Sequence, residues 1–171
     1  MTQINRPEVW LRGPLPGVPA FLQPVAQALL QAKEEAAAIM NHFPESRLWE
    51  GPSGLASPGF HLLHLCGVID RLFTYAKGKM LSPEQFSALE SEQQIPEGGP
   101  DGAELLNRFE QQVDKAIDEL RKIPENQLLE ERAVGRSRIP STILGILFHA
   151  AEHTQRHIGQ LLVTVRILAD H

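Results

Sequence analysis

The sequence predicts an all-α protein: a four-helix bundle with a short extra helix and an extended N-terminal arm. Long amphipathic segments carry apolar residues at intervals of three and four, and proline and glycine residues separate these segments. No alternating strand pattern competes with them, and the connections suit antiparallel neighbours. We expect residues 1–171 to form a single domain.

The first elements are the arm and the first long helix. Residues 1–19 are predicted to be an extended arm, because repeated prolines prevent a helix there. The first helix is predicted from Pro24 to Phe43. Its apolar residues recur at helical spacing and define a narrow seam: Val25, Leu29, Ala32, Ala36, Ile39 and Phe43.

The second long helix and the short one follow a loop rich in glycine, serine and proline (44–57). The second helix is predicted from Pro58 to Lys77, with Gly78 at its end. Ser82 and Pro83 have the residue types of a helix cap and a first helical position, which predicts a short helix to Leu89. The polar stretch 91–99 is predicted to be a loop.

The last two helices are separated by a predicted charged loop. Asp101 and Glu104 resemble a capping box, which predicts a third long helix to Lys122, ended by Pro124. The apolar seam of this helix is Leu106, Phe109, Val113, Ala116 and Leu120. The final helix is predicted to open at Pro140–Ser141 and to run to Ala169.

The second and fourth long helices carry denser apolar runs than the other two. Such helices need cover on more than one side, which favours a homodimer. The net charge of −5 and the lack of a Lys/Arg run argue against nucleic acid, and no apolar stretch is long enough to cross a membrane. The N-terminus lacks a secretory pattern, and the single cysteine, Cys66, fits a reducing compartment. These features predict a cytoplasmic protein.

Histidines form the most informative pattern, since five of the seven lie in two clusters on predicted apolar helices. His149, His153 and His157 are four residues apart, so they form a ridge on one helix face. His61 and His64 are three apart and share a face of the second helix. Two histidines at i and i+4, with a third from a neighbouring helix, would hold a metal and leave one position open, as catalytic sites require.

The same histidines fit three other interpretations less well. A single histidine on an apolar face is usually a hydrogen-bonded core residue, but a ridge of three opposite a second pair favours a metal. His149 to His153 matches the HxxEH motif of inverted zinc proteases, which need a further acidic ligand downstream, and only Asp170 follows. Ferritin-like di-iron sites need repeated Glu-x-x-His pairs, which the sequence lacks. Asp70 and Arg71 are expected to be exposed or interface charges, and Glu152 to face outward.

Two segments resemble the motifs of the DinB-like superfamily. LFHAAEHTQRHIGQ, residues 147–160, is similar to its HxxxHxxxHxGQ signature, and SPGFHLLHL, residues 57–65, to its second-helix motif. The resemblance implies a four-helix bundle, often dimeric, with a divalent metal held by His64, His153 and His157. It also implies that His149 and His61, one turn before ligands, orient a ligand or assist proton movement as catalytic groups.

The resemblance further implies a function that the residues alone do not fix. Some members of the superfamily transfer a low-molecular-weight thiol, while many others have no known activity. One hypothesis is therefore a metal-dependent enzyme, such as a thiol-S-transferase or related hydrolase, using zinc, nickel or iron on a small-molecule substrate. The alternative is a dimeric binding or stress-response protein in which the site is structural. Whether His61 or His64 is the second-helix ligand stays open.

Overall fold

The computed structural model describes residues 6–92, 94 and 99–169. The predicted four-helix bundle is confirmed in that part of the chain. The predicted loop 91–99 is therefore described only in part, as is the arm. The helices are α1 (Gln23–Met40), α2 (Pro58–Ala76), the short α3 (Pro83–Ser91), α4 (Gly102–Leu120) and α5 (Ile143–Ala169).

The four long helices surround one apolar core. Helices α1 and α2 each pack against both α4 and α5, so that α2 and α5 are direct neighbours. The core includes fully buried residues from every long helix, among them Leu29, Leu65, Phe109 and Leu161. The α4 seam differs from the prediction at one position, because Leu105, one turn before Phe109, is fully buried and Leu106 is only half-buried. The packing of α2 on α5 brings together the two helices that carry the histidine clusters.

The start of α2 is fixed by local contacts. Ser57 caps the helix, its hydroxyl accepting a hydrogen bond from the Phe60 N–H at 3.2 Å, and Pro58 occupies the first helical position. The Gly59 N–H donates to the Leu48 carbonyl at 2.8 Å, and a Cβ on Gly59 would collide with the Trp49 indole. These contacts set the position of the first turn of α2, immediately before His61.

A β-hairpin replaces the charged loop expected before the last helix, so the prediction of no strands was wrong there. Strands β1 (Glu131–Val134) and β2 (Ile139–Thr142) pair antiparallel, with Val134 opposite Ile139. Four residues are too few to show an alternating pattern, and Pro140 suggested a helix start. Proline is tolerated in β2 because a two-stranded ribbon has free edges. Helix α5 consequently begins at Ile143, later than predicted.

The N-terminal arm is attached to α1 by polar contacts. It contains one 3-10 turn (Val9–Arg12), so the described part is not extended throughout. The Val9 N–H donates to the Gln31 side chain at 2.8 Å, and the Arg12 guanidinium donates two hydrogen bonds of 2.7 Å to Glu34. These bonds hold the pKa of the Glu34 carboxyl below its ordinary value.

Replacing Glu34 with glutamine is expected to destabilise the protein slightly at neutral pH and less in acid. A carboxyl with a lowered folded-state pKa adds stability above its ordinary pKa, and this contribution is lost as pH falls through the folded value. The difference in urea midpoint between the wild type and Glu34→Gln should therefore shrink below about pH 4. A difference that is as large at pH 3 as at pH 7 would contradict this assignment.

The exposed surface of α5 is relevant to whether two copies of the chain associate. Helix α5 exposes Phe148, Val163 and Ile167, which fits the apolar surplus seen in its sequence. The homodimer stays a prediction. None of the described helices has the length and hydropathy needed to cross a membrane.

Candidate metal centre

Three histidines from α2 and α5 form a cluster. One ring nitrogen each of His64, His153 and His157 lies within 4.8 Å of the others, and Nε2 of His64 is 3.1 Å from Nε2 of His153. The two α5 residues are one helical turn apart, and His64 faces them from α2. The structure thus brings together the three residues predicted to be ligands. Their role as ligands stays a prediction.

His64 has a carboxylate partner that the sequence analysis did not identify. Its Nδ1 lies 2.8 Å from Oε2 of Glu92, and because a carboxylate only accepts, His64 Nδ1 is the donor. Glu92 follows α3, where only a polar loop was expected, and is 5% exposed. It also forms an ion pair with Arg71. The expectation that Arg71 is an exposed or interface charge was wrong, because Arg71 is buried as the counter-charge of Glu92.

His61 contacts the cluster through His157. The Nδ1 atoms of the two rings are 3.0 Å apart, so one must donate and the other accept. His61 is 3% exposed, which makes it the most buried histidine of the group. If Nε2 of His157 binds a metal, Nδ1 of His157 carries the proton and donates the hydrogen bond, and Nδ1 of His61 accepts that bond. His61 then acts on the site by orienting His157.

The donor chemistry fits a divalent cation. Nε2 of His153 faces Nε2 of His64, and no described residue forms a hydrogen bond with the buried Nδ1 of His153. Two imidazole nitrogens with lone pairs directed at each other are favourable only with a proton or a cation between them. Neutral imidazole is a good ligand for zinc, nickel and iron. Among the described residues, the cluster contains only histidine.

Burial lowers the pKa of three histidines of this group. Burial, together with the neighbouring His64, lowers the pKa of His61 to about 4. Burial, with contributions from His64 and His153, lowers the pKa of His157 to about 3. Burial, with contributions from His64 and His149, also lowers the pKa of His153. Since only neutral imidazole binds a metal, these rings are available as ligands at pH 7.

His149 lies at the rim of the cluster. The His149 side chain is 52% exposed, and its Nδ1 is 3.2 Å from Oε2 of the half-exposed Glu152. Its ring centroid is 5.5 Å from that of His153. Glu152 also pairs with Arg156 on the outside of the helix, as expected for an outward residue. His149 therefore stands between solvent and the cluster.

Two further α2 residues are close to His64 in the sequence. The Phe60 ring stacks on His64 with 5.4 Å between centroids and was not singled out from the sequence. Cys66 packs against the core, and burial raises the pKa of its thiol to about 12. It is therefore a small core residue and not a reactive thiolate.

A cavity of about 340 Å³ lies elsewhere, between the C-terminal ends of α2 and α4 and the hairpin. Its lining includes Phe73, Lys77, Glu119 and Arg132. Lys77 is 13 residues from His64, about 20 Å along α2, so this cavity does not adjoin the histidines.

Comparisons with known proteins agree with this fold. A model of the DinB superfamily matches residues 18–161. No curated protein matches the chain. A conserved protein from Enterococcus faecalis superposes with a TM-score of 0.67 at 18% identity, covering 88% of this chain and 98% of that one. A DinB-like protein from Bacillus cereus gives 0.63 at 15% identity, covering 85% and 91% respectively.

A third solved structure carries a functional description. YfiT from Bacillus subtilis, described as a probable metal-dependent hydrolase with an unusual four-helix bundle topology, superposes with a TM-score of 0.64 at 13% identity. The alignment covers 92% of this chain and 93% of YfiT. At these identities the three structures establish a shared fold.

Proposed function

This chain belongs to the DinB superfamily, and from that premise we propose that it binds one divalent cation through His64, His153 and His157 for chemistry on a small molecule. The observation that carries the proposal is the cluster itself: three imidazoles from two packed helices, whose ring nitrogens lie within 4.8 Å of one another, with no thiolate or carboxylate in the group among the described residues. Three protein ligands leave a coordination position open, whereas structural sites usually have four. Zinc, nickel and iron all suit this donor set.

The reaction class that we propose is metal-dependent hydrolysis or transfer of a low-molecular-weight thiol. A cation bound there would supply Lewis acidity and lower the pKa of the attacking water or thiol. The description of YfiT as a probable metal-dependent hydrolase supports the first option, and the sequence resemblance supports the second. Either reaction uses the same open position.

The surrounding residues have separate tasks in this proposal. Glu92 and His61 each contact the ring of one ligand and would hold that ring in orientation. Phe60 covers one face of His64 and limits access of water from that side. His149 is exposed at the rim of the cluster, and the Glu152 carboxylate lies next to it. His149 can therefore take a proton from an incoming nucleophile and pass it to solvent.

Cobalt substitution tests the open position. We expect the purified protein to take up about one Co²⁺ per chain, and azide or a small thiol to change its visible absorption spectrum, because an exogenous ligand can enter the fourth position. A spectrum that is unchanged at saturating azide and thiol would favour the structural alternative. Failure to bind cobalt or zinc at all would overturn the proposal.

Substitution of the two flanking histidines should separate orientation from proton transfer. His61→Ala removes the partner of His157, so we expect the zinc dissociation constant to rise about 10-fold or more. His149→Ala should leave the dissociation constant within about 2-fold, because His149 is exposed and contacts no ligand nitrogen. Competition against a chromophoric chelator measures both. The reverse order of effects would mean that His149 is a ligand.

A further inference from the structure

Glu92 makes contacts that a simple surface carboxylate would not make. Its Oε2 accepts from Nδ1 of His64 at 2.8 Å and from the Arg71 guanidinium at 3.2 Å, and its Oε1 accepts a second bond from Arg71. Hydrogen bonds from His64 and Arg71 outweigh the effect of burial and keep the pKa of Glu92 below its ordinary value. A charged carboxylate is thus held against one side of His64 while the opposite ring nitrogen faces His153.

Gly67 provides the space for this arrangement. It lies within α2, where glycine is less favourable than alanine, and it has no turn to make. A Cβ built on Gly67 would collide with the Glu92 carboxylate and the Arg71 guanidinium. The bare backbone lies between His64 and Arg71 on the same helix. The glycine therefore leaves a recess that the carboxylate fills.

We propose that Glu92, seated on Gly67 and clamped by Arg71, is a positioning residue that fixes the tautomer and orientation of His64. Neutral imidazole carries its proton on either ring nitrogen, and only the unprotonated nitrogen can bind a metal. A carboxylate that accepts from Nδ1 leaves the Nε2 lone pair pointing at His153. The part of this inference that concerns metal binding rests on the proposed function. The part that concerns the tautomer of His64 applies to the metal-free protein.

The arrangement also selects His64 over His61 as the α2 ligand. His61 directs its Nδ1 at His157, 3.0 Å away, and has no carboxylate partner among the described residues. His64 has a carboxylate behind it and a second histidine in front of it. Carboxylate–histidine–metal arrangements have this order of groups.

Glu92→Gln is the sharpest variant, because it is predicted to reverse the tautomer. Arg71 only donates, so it takes the amide oxygen, and the amide NH₂ group then faces Nδ1 of His64. Nδ1 must accept, the proton moves to Nε2, and Nε2 can no longer bind a metal. Gly67→Ala displaces the carboxylate from Nδ1 of His64 while keeping every ionisable group. Glu119→Gln, which alters the ion pair with Lys77 away from the histidines, is the matched control.

Two measurements on each variant test the inference. Long-range ¹H–¹⁵N spectra of the metal-free protein, with the His64 signal assigned by its loss in His64→Gln, report which nitrogen carries the proton. Competition against a chromophoric chelator gives the zinc dissociation constant. We expect a proton on Nδ1 in the wild type and on Nε2 in Glu92→Gln, with zinc affinity about 10–100-fold weaker in Glu92→Gln and Gly67→Ala and unchanged in Glu119→Gln.

The outcomes separate the two proposals. If folded Glu92→Gln, judged by circular dichroism, keeps the wild-type tautomer and zinc affinity, Glu92 only links α3 to α2 and the inference is overturned. If the wild type binds no zinc, the proposed function fails, while the tautomer in the metal-free protein still decides the role of Glu92. Should Glu92→Gln fail to fold, Gly67→Ala provides the affinity comparison, and wild-type zinc affinity in that variant overturns the inference.

Discussion

His153→Ala is expected to abolish stoichiometric metal binding. His153 shares the cluster with His64 and His157, and without it two ligands remain, one on each helix. We expect the zinc dissociation constant to rise more than about 100-fold, beyond the range typical of residues that only orient a ligand. Zinc at 100 times its dissociation constant should stabilise the wild type by about 2.7 kcal/mol and the variant very little. Metal analysis after gel filtration and urea unfolding with and without zinc measure both effects.

The control for this experiment is an exposed histidine away from the cluster. His42 has a φ of 64°, which asparagine tolerates better than alanine, so His42→Asn removes an imidazole without backbone strain. We expect this variant to keep its zinc. The metal-free His153→Ala protein should remain folded, because the substitution removes a buried nitrogen that has no hydrogen-bond partner in the part of the chain that the structure describes. Equal zinc content in His153→Ala and the wild type would rule out His153 as a ligand.

The helices and the histidine ridge were predictable because both depend on local spacing. Residues four apart lie on one helix face whatever the rest of the chain does, so His149, His153 and His157 were placed together from the sequence. The start of helix α2 was equally predictable from the sequence, since Ser57 and Pro58 mark it. That His64 faces α5 required the resemblance as well, because spacing alone does not state which helices are neighbours.

The environment of the cluster was not predictable, because it depends on contacts between distant residues. Glu92 is 28 residues from His64, in a segment whose polar composition indicated only a loop. Arg71 was judged from its charge, and arginine is rarely buried unless it is paired. A signal was present in Gly67, a glycine within a helix, which often indicates close approach of another group. The hairpin was missed because two four-residue strands give no measurable periodicity.

Arg71→Met is expected to cause the largest loss of stability among the polar substitutions discussed. Arg71 and Glu92 have side chains that are 9% and 5% exposed, so removing the guanidinium leaves a buried carboxylate whose one remaining side-chain donor among the described residues is His64. Breaking a buried pair costs about 3–5 kcal/mol, and the remaining bond from His64 favours the lower end. Urea unfolding of the metal-free protein measures this. Arg108→Met, in an exposed pair with Glu104, should cost no more than about 1 kcal/mol.

The double variant Arg71→Met/Glu92→Leu shows whether the cost comes from the pair or from the charge left behind. Replacing a buried ion pair with apolar residues of similar size is often neutral or stabilising, so the double variant should be more stable than Arg71→Met alone. It should nevertheless bind zinc more weakly than the wild type, since His64 has lost its acceptor. If the double variant is as unstable as the single one, the loss is one of packing around Arg71. Recovered stability with weakened zinc binding would indicate that this ion pair serves the site more than the fold.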